Sequence, residues 1–182
     1  MIMFKFRDVT PKRTYDKYHE DYHKYKEPLS NDFNNKCGYT DCSDFWFGGS
    51  RCFQIDHFKP YSKYPEKKSE YSNLVYCCSY VNRAKWDDDN INYLDPCNVD
   101  YNDHFSRDKF GVIVAKTPEA MYMVEHMHLN MQRYAIIWLL DQLDSRIALL
   151  RSMDLQNQEV KELLPDLYKT YYEYVQQLKS AR

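Results

Sequence analysis

The chain predicts an α+β fold: a helical lead-in, a compact central module and a helical tail. Three observations predict it. Short β-like stretches, Cys52–Ile55, Leu74–Tyr76 and Gly111–Ala115, fall in the middle of the chain. From Pro118 onward the apolar residues recur at three- and four-residue spacing, the period of a helix buried along one side. An apolar share of 43%, with 16% aromatics over 182 residues, is enough for one real core.

Residues 1–36 form the lead-in, polar and rich in Tyr, Lys and His, with a short helix expected around Lys26–Phe33. Residues 37–115 hold the cysteines and the Gly48-Gly49 pair. In residues 116–182, Thr117 is placed to cap a helix whose first position is Pro118, where a missing N–H costs nothing. Met121, Val124, Met127, Met131, Ala135, Trp138, Leu139, Leu143, Ile147 and Leu150 then make one apolar stripe. Read as a single helix of about thirty residues, it spans roughly 45 Å. That is more than a small core covers, so the stripe is expected to mediate self-association or docking to a partner. A second helix is expected over about Asn157–Lys179, with a break near Pro165.

A formal net charge of −2, from 25 basic and 27 acidic residues, argues against a free-standing, non-specific DNA binder, whose affinity comes from phosphate neutralisation. Nucleic-acid contact must be local or aided by a partner. The start, MIMFKFRDVTPKR, lacks the apolar run of a secretory signal, and the most apolar stretch, Tyr134 to Leu140, is too short to span a bilayer. The irregularly spaced cysteines do not read as a disulfide framework, so a cytoplasmic setting is expected.

Chemistry concentrates in FQIDHFKPYSKYPEKKSEYSNLVYCCSYVNRAKWD, residues 53–87. An apolar strand ends in Asp56-His57, a Lys- and Pro-containing loop follows, and Asn73 opens a second strand. A helix beginning near Cys78 then presents Asn82 and Lys85 about one turn apart. Phosphodiester hydrolysis needs an activated water, a cation at the phosphate and help for the leaving oxygen. A neutral His can take the water's proton, while a carboxylate and an amide oxygen are hard ligands suited to Mg²⁺.

Asp56-His57, Asn73-Leu74-Val75, Cys78, then Asn82-Arg83-Ala84-Lys85 together resemble the HNH endonucleases, whose pattern runs D-H, loop, N-L-V-x-x-C-x-x-C-N-x-x-K. The resemblance implies a ββα-metal core over 37–115. His57 would be the general base, Asp56 and Asn82 the ligands of a catalytic Mg²⁺ or Mn²⁺, Asn73 the residue fixing the loop that aims His57, and Lys85 a phosphate or product-side contact. The Asp-His, Asn, Asn form is similar to the HNH domain of RNA-guided CRISPR effectors. CGYTDCSDFWFGG upstream, and YLDPCNVDYNDHF and HLNMQRYAIIWLL downstream, resemble bacterial HNH proteins often paired with an ATPase in anti-phage defence. DNA and a partner protein, such as an ATPase subunit, are thereby implied as partners.

Such proteins often carry a structural Zn²⁺ on two Cys-x-x-Cys knuckles. Here the first pair, Cys37 and Cys42, has four residues between its members, and Val81 stands where Cys78 would have its partner. Cys77, Cys97 or His104 is available as a fourth ligand. The set Cys37, Cys42, Cys78 and Cys97 is the zinc expectation, and buried reduced thiols are the alternative. Lys59, Lys63, Lys67 and Lys68 are candidates to ride a phosphate backbone, and Asp87-Asp88-Asp89 reads as a solvated helix end. A different class of function stays open: a non-cleaving, zinc-stabilised module binding nucleic acid or protein on a vestigial HNH core.

Overall fold

The computed structural model describes residues 2–153 and 158–181. In chain order the elements are β1 (Met3–Lys5), α1 (Lys26–Asp32), β2 (Phe53–His57), β3 (Leu74–Cys78), α2 (Ser79–Lys85), α3 (Tyr101–His104), β4 (Phe105–Asp108), β5 (Ile113–Ala115), α4 (Pro118–His126), α5 (Gln132–Ser152) and α6 (Gln158–Ser180). The fold is α+β. β2 and β3 form a two-stranded antiparallel sheet, and β1, β4 and β5 form a second sheet in the order β1-β4-β5, also antiparallel.

β2 and β3 pair Asp56 with Val75 and His57 with Leu74, and α2 follows β3 directly. Every residue of β3 is buried, which suits its run of Leu, Val, Tyr and Cys. The expected strand at Cys52–Ile55 runs instead from Phe53 through His57, because Cys52 ends a 3-10 turn. β1 and β4 had no counterpart among the expected strands.

The helical tail differs from expectation in two places. The apolar stripe is carried by two helices, α4 and α5, separated at Met127–Met131, where His128 takes a left-handed φ of 53°. Leu143 and Ile147 are buried within the chain, and Trp138 packs against Phe4 with ring centroids 5.4 Å apart, so much of the stripe is spent on internal packing, while Met121 stays exposed. α6 continues past Pro165 without the expected break, packed along α5 although a mid-helix proline costs roughly 3 kcal/mol. The start expected at Asn157 lies outside the described residues. Thr117 does cap α4, its hydroxyl accepting from the Ala120 N–H, with Pro118 at the first helical position.

One apolar core joins all three segments: Phe6, Tyr25 and Leu29 meet Tyr39, Tyr76 and Phe105, and then Met123, Tyr134 and Ile137. Two tight approaches set how its parts sit. Gly111 (φ +80°) turns β4 into β5, and a Cβ there would lie 2.6 Å from the Ala135 carbonyl oxygen on α5. At Gly38 a Cβ would lie 2.7 Å from both Phe33 and Val75, which presses the Cys37–Cys42 turn onto β3.

Candidate active site

The β2–β3 hairpin and α2 bring Asp56, His57 and Asn82 to one cleft of about 310 Å³, completed by Ile55, Pro60, Tyr61, Ser62, Trp86 and Asp87. Its geometry starts from two periodicities. Gln54 and Asp56, two apart on a strand, share a face, and Asn82 and Lys85, three apart on a helix, do the same. Those faces meet: Asn82 Nδ2 donates to Gln54 Oε1 at 2.7 Å, and Lys85 Nζ donates to Asp56 Oδ1 at 3.1 Å.

His57 is 6% exposed. Its Nε2 lies 2.9 Å from the Lys68 carbonyl oxygen. A carbonyl can only accept, so Nε2 carries the proton, and in the neutral ring Nδ1 is the basic atom. Tyr22 and Tyr61 meet the imidazole edge-on, with centroids 4.7 and 4.9 Å away. Burial lowers the His57 pKa from its usual 6.5, against the opposing influence of the Lys68 carbonyl and the Asp56 charge.

Asn73 is buried and ties down the loop that supplies Lys68. Its Nδ2 donates to the carbonyls of Lys59 (2.9 Å) and Lys67 (3.2 Å), its Oδ1 accepts from Lys59 N–H (2.8 Å), and its own carbonyl accepts from Phe58 N–H (2.8 Å). The loop is clasped from the far side by Asp89, which accepts from Lys63 Nζ and Tyr64 OH at 2.8 and 3.1 Å. Asp88 accepts from Tyr93 and Tyr122. The acidic run is therefore a fastening as well as a helix end.

Lys85 does not serve as the expected phosphate contact. It is 0% exposed, paired with Asp56, and also donates to the His57 carbonyl at 2.9 Å. Asn82 and Lys85 do share one face of α2, but at Lys85 that face is sealed against β2 while at Asn82 it opens on the cleft. Asp56, 3% exposed, also accepts from Tyr39 OH at 2.6 Å. Each of its oxygens thus has one partner and a second lone pair to spare, and Asn82, whose Nδ2 end is taken by Gln54, offers its Oδ1 end. One carboxylate and one amide oxygen suffice for a cation that keeps most of its waters. Among the described residues no three of His, Cys, Asp or Glu form a metal-holding group.

The cysteines expected to hold zinc do not converge as a set of four. The Cys37 and Cys78 thiols are near enough to influence each other's ionisation, Cys42 Sγ faces the carbonyls of Thr40 and Tyr134, and Tyr134 OH lies 3.9 Å from Cys78 Sγ. Cys97 sits instead beside Arg13 and Asp95. Buried arginines hold the Cys37–Cys42 turn: Arg7 Nη2 donates to the Gly38 carbonyl and Arg107 Nη2 to the Thr40 carbonyl, both at 2.6 Å. Burial works to raise the Cys37 thiol, but the Cys78 and Thr40 hydrogen bonds and nearby backbone N–H groups bring it down to about 6. All six cysteines are free.

Trp86, at the C-terminal end of α2, has φ 51° and ψ −125° and is 74% exposed. Asp88 N–H donates to the Lys85 carbonyl at 3.0 Å, closing a turn whose first central residue is Trp86. These angles are those of a type II′ turn, where glycine is favoured, and holding a bulky residue there costs about 1–3 kcal/mol.

Sequence reasoning missed Tyr39, Tyr22, Tyr61, Gln54 and Trp86. Among 18 tyrosines no spacing marks these three, whereas a Trp directly after the Asn-x-x-Lys helix was a signal open to use. The chain matches no protein-family model and has no significant match among curated proteins. No helix among the described residues is long and apolar enough to cross a membrane.

Proposed function

We propose that the chain is a metal-dependent endonuclease of the HNH, or ββα-metal, class, hydrolysing phosphodiester bonds in DNA. The observation that carries this reading is the convergence of His57, Asp56 and Asn82 on one cleft, with Nδ1 left as the basic atom of His57. His57 stays neutral near pH 7 and takes the proton of the attacking water at Nδ1, while Nε2 keeps its bond to the Lys68 carbonyl. Asn73 acts through the loop it ties, setting where that carbonyl stands. Lys85 positions rather than contacts: it holds Asp56 and the His57 backbone. Asp56 and Asn82 would hold Mg²⁺ or Mn²⁺, which when bound neutralises charge on the scissile phosphate and the leaving oxygen.

The anti-phage role and an ATPase partner rest on the resemblance alone. The six free thiols favour a cytoplasmic setting. For a partner or a second copy, the exposed side chains of the α5–α6 pair, Leu149, Leu163, Tyr168 and Tyr172, replace the largely buried stripe.

One observation favours a second reading, a non-cleaving binding module on a vestigial centre: Lys85 already neutralises Asp56, so a cation must share that carboxylate. Incubating plasmid DNA with the protein and Mg²⁺ or Mn²⁺ separates the two. Cutting that stops with EDTA and in His57→Ala supports the nuclease. A folded protein that cuts neither plasmid, single strands nor RNA with either metal supports the module.

A further inference from the structure

We propose, resting on the reading of this cleft as a nuclease centre, that its substrate is single-stranded or locally unpaired nucleic acid, and that Trp86 and Tyr61 grip an unstacked base beside the reacting phosphate. Both rings line the same cleft as His57 and Asn82, and both are exposed, Tyr61 at 48%. Trp86 follows Asn82 by one helical turn, its N–H donating to the Asn82 carbonyl at 3.0 Å. Tyr61 meets His57 edge-on. A base lying on Tyr61 is therefore one ring away from the general base.

The backbone at Trp86 points the same way. A large aromatic occupies a turn position that glycine fills without strain, and its side chain gains little burial there in return. Strain of this kind, at a cleft and without packing to offset it, belongs to a residue kept for what it binds.

Charge decides between strand states. Duplex affinity is drawn from phosphate neutralisation over many contacts. This rim instead presents Asp87, spends Lys63 on Asp89, and belongs to a chain of net charge −2. Of the remaining loop lysines, Lys68 Nζ lies 5.5 Å from the Tyr61 ring centroid and Lys59 Nζ 5.9 Å from those of Phe58 and Tyr64, a small set beside the many phosphate contacts that duplex affinity draws on. Stacking on aromatic rings is indifferent to net charge, but it needs a base face that a duplex keeps hidden.

The test is fluorescence anisotropy of a short labelled oligonucleotide in EDTA, where no cutting occurs, with the same sequence as single strand and as blunt duplex. The single strand should bind more tightly than the duplex, and Trp86→Ala should weaken single-strand binding by about five- to a hundredfold. Trp86→Phe should keep most of the affinity. Trp86→Gly guards against a merely structural role: it should melt at or above the wild-type temperature yet bind as poorly as Trp86→Ala. Equal or tighter duplex binding, or wild-type affinity in Trp86→Gly, overturns the proposal. Cutting by a protein whose binding ignores Trp86 sinks this inference and leaves the nuclease reading. Trp86-dependent binding without any cutting does the reverse.

Discussion

Lys85 Nζ lies 3.1 Å from Asp56 Oδ1, with the two side chains 0% and 3% exposed, and the same ammonium bonds the carbonyl of His57. This ion pair at the site thus also joins β2 to α2, as does the Asn82–Gln54 hydrogen bond. Taking two ions out of water costs several kcal/mol each, which only good geometry and extra hydrogen bonds offset; Tyr39 and the His57 carbonyl supply those bonds.

Lys85→Met should therefore cost about 3–5 kcal/mol of folding stability, because Asp56 is left buried and unpaired. Adding Asp56→Leu should recover most of that loss. Urea denaturation of the two variants measures it. A Lys85→Met protein as stable as the wild type would mean that Asp56 reaches water without its partner.

His57→Ala should lower cleavage by about a hundredfold to ten-thousandfold while the fold persists. The acid limb of the pH–rate profile follows from the direction of the His57 shift. Only the neutral ring accepts a proton, and burial lowers its pKa from 6.5, so the acid limb should have its midpoint below pH 6.5. A midpoint above 6.5 would contradict this placement of the base.

Asn82→Ala should weaken Mn²⁺ binding, read by isothermal titration, with little change in melting temperature because Asn82 is half-buried and gives up one hydrogen bond to Gln54. Unchanged Mn²⁺ affinity would put the cation elsewhere.

Gly111→Ala should destabilise by more than about 1 kcal/mol, since φ is positive and the new Cβ would meet the backbone oxygen of Ala135. A neutral result in thermal melting would show that the β4–β5 turn shifts freely against α5.

What could be read in advance was whatever is encoded by neighbours in the chain. Thr117-Pro118 marks its own helix start, and Asp56-His57 with Asn73 and Asn82 lies within one hairpin and one helix. Tyr39 and Asp56, by contrast, are joined only by the tertiary fold, across 17 positions. The break between α4 and α5 is hidden because Met127 and Met131 continue the apolar spacing across it, with no Gly or Pro to announce it; only the backbone of His128 turns. Lys85 shows the same limit: its distance from Asn82 gives the side of the helix, and not whether that side faces water. β1 escaped notice because an edge strand exposed along its whole length carries no buried alternation.

That edge strand has a consequence for how the protein is made. Met3, Phe4 and Lys5 pair with Asp108, Arg107 and Ser106, so β1, made about a hundred residues ahead of its partner, finds its hydrogen bonds only after β4 has left the ribosome. Phe6 and the buried Arg7, next to it, wait nearly as long for Asn102, which accepts from both their backbone N–H groups, and for the rings of Tyr101 and Phe105. Domains are completed from their amino-terminal end only when contacts are local, and here they are not. Synthesis slowed after residue 108 would give the opening segment time to dock, whereas a stall before it would leave Phe4 and Phe6 displayed to whatever chaperone or neighbouring chain reaches them first.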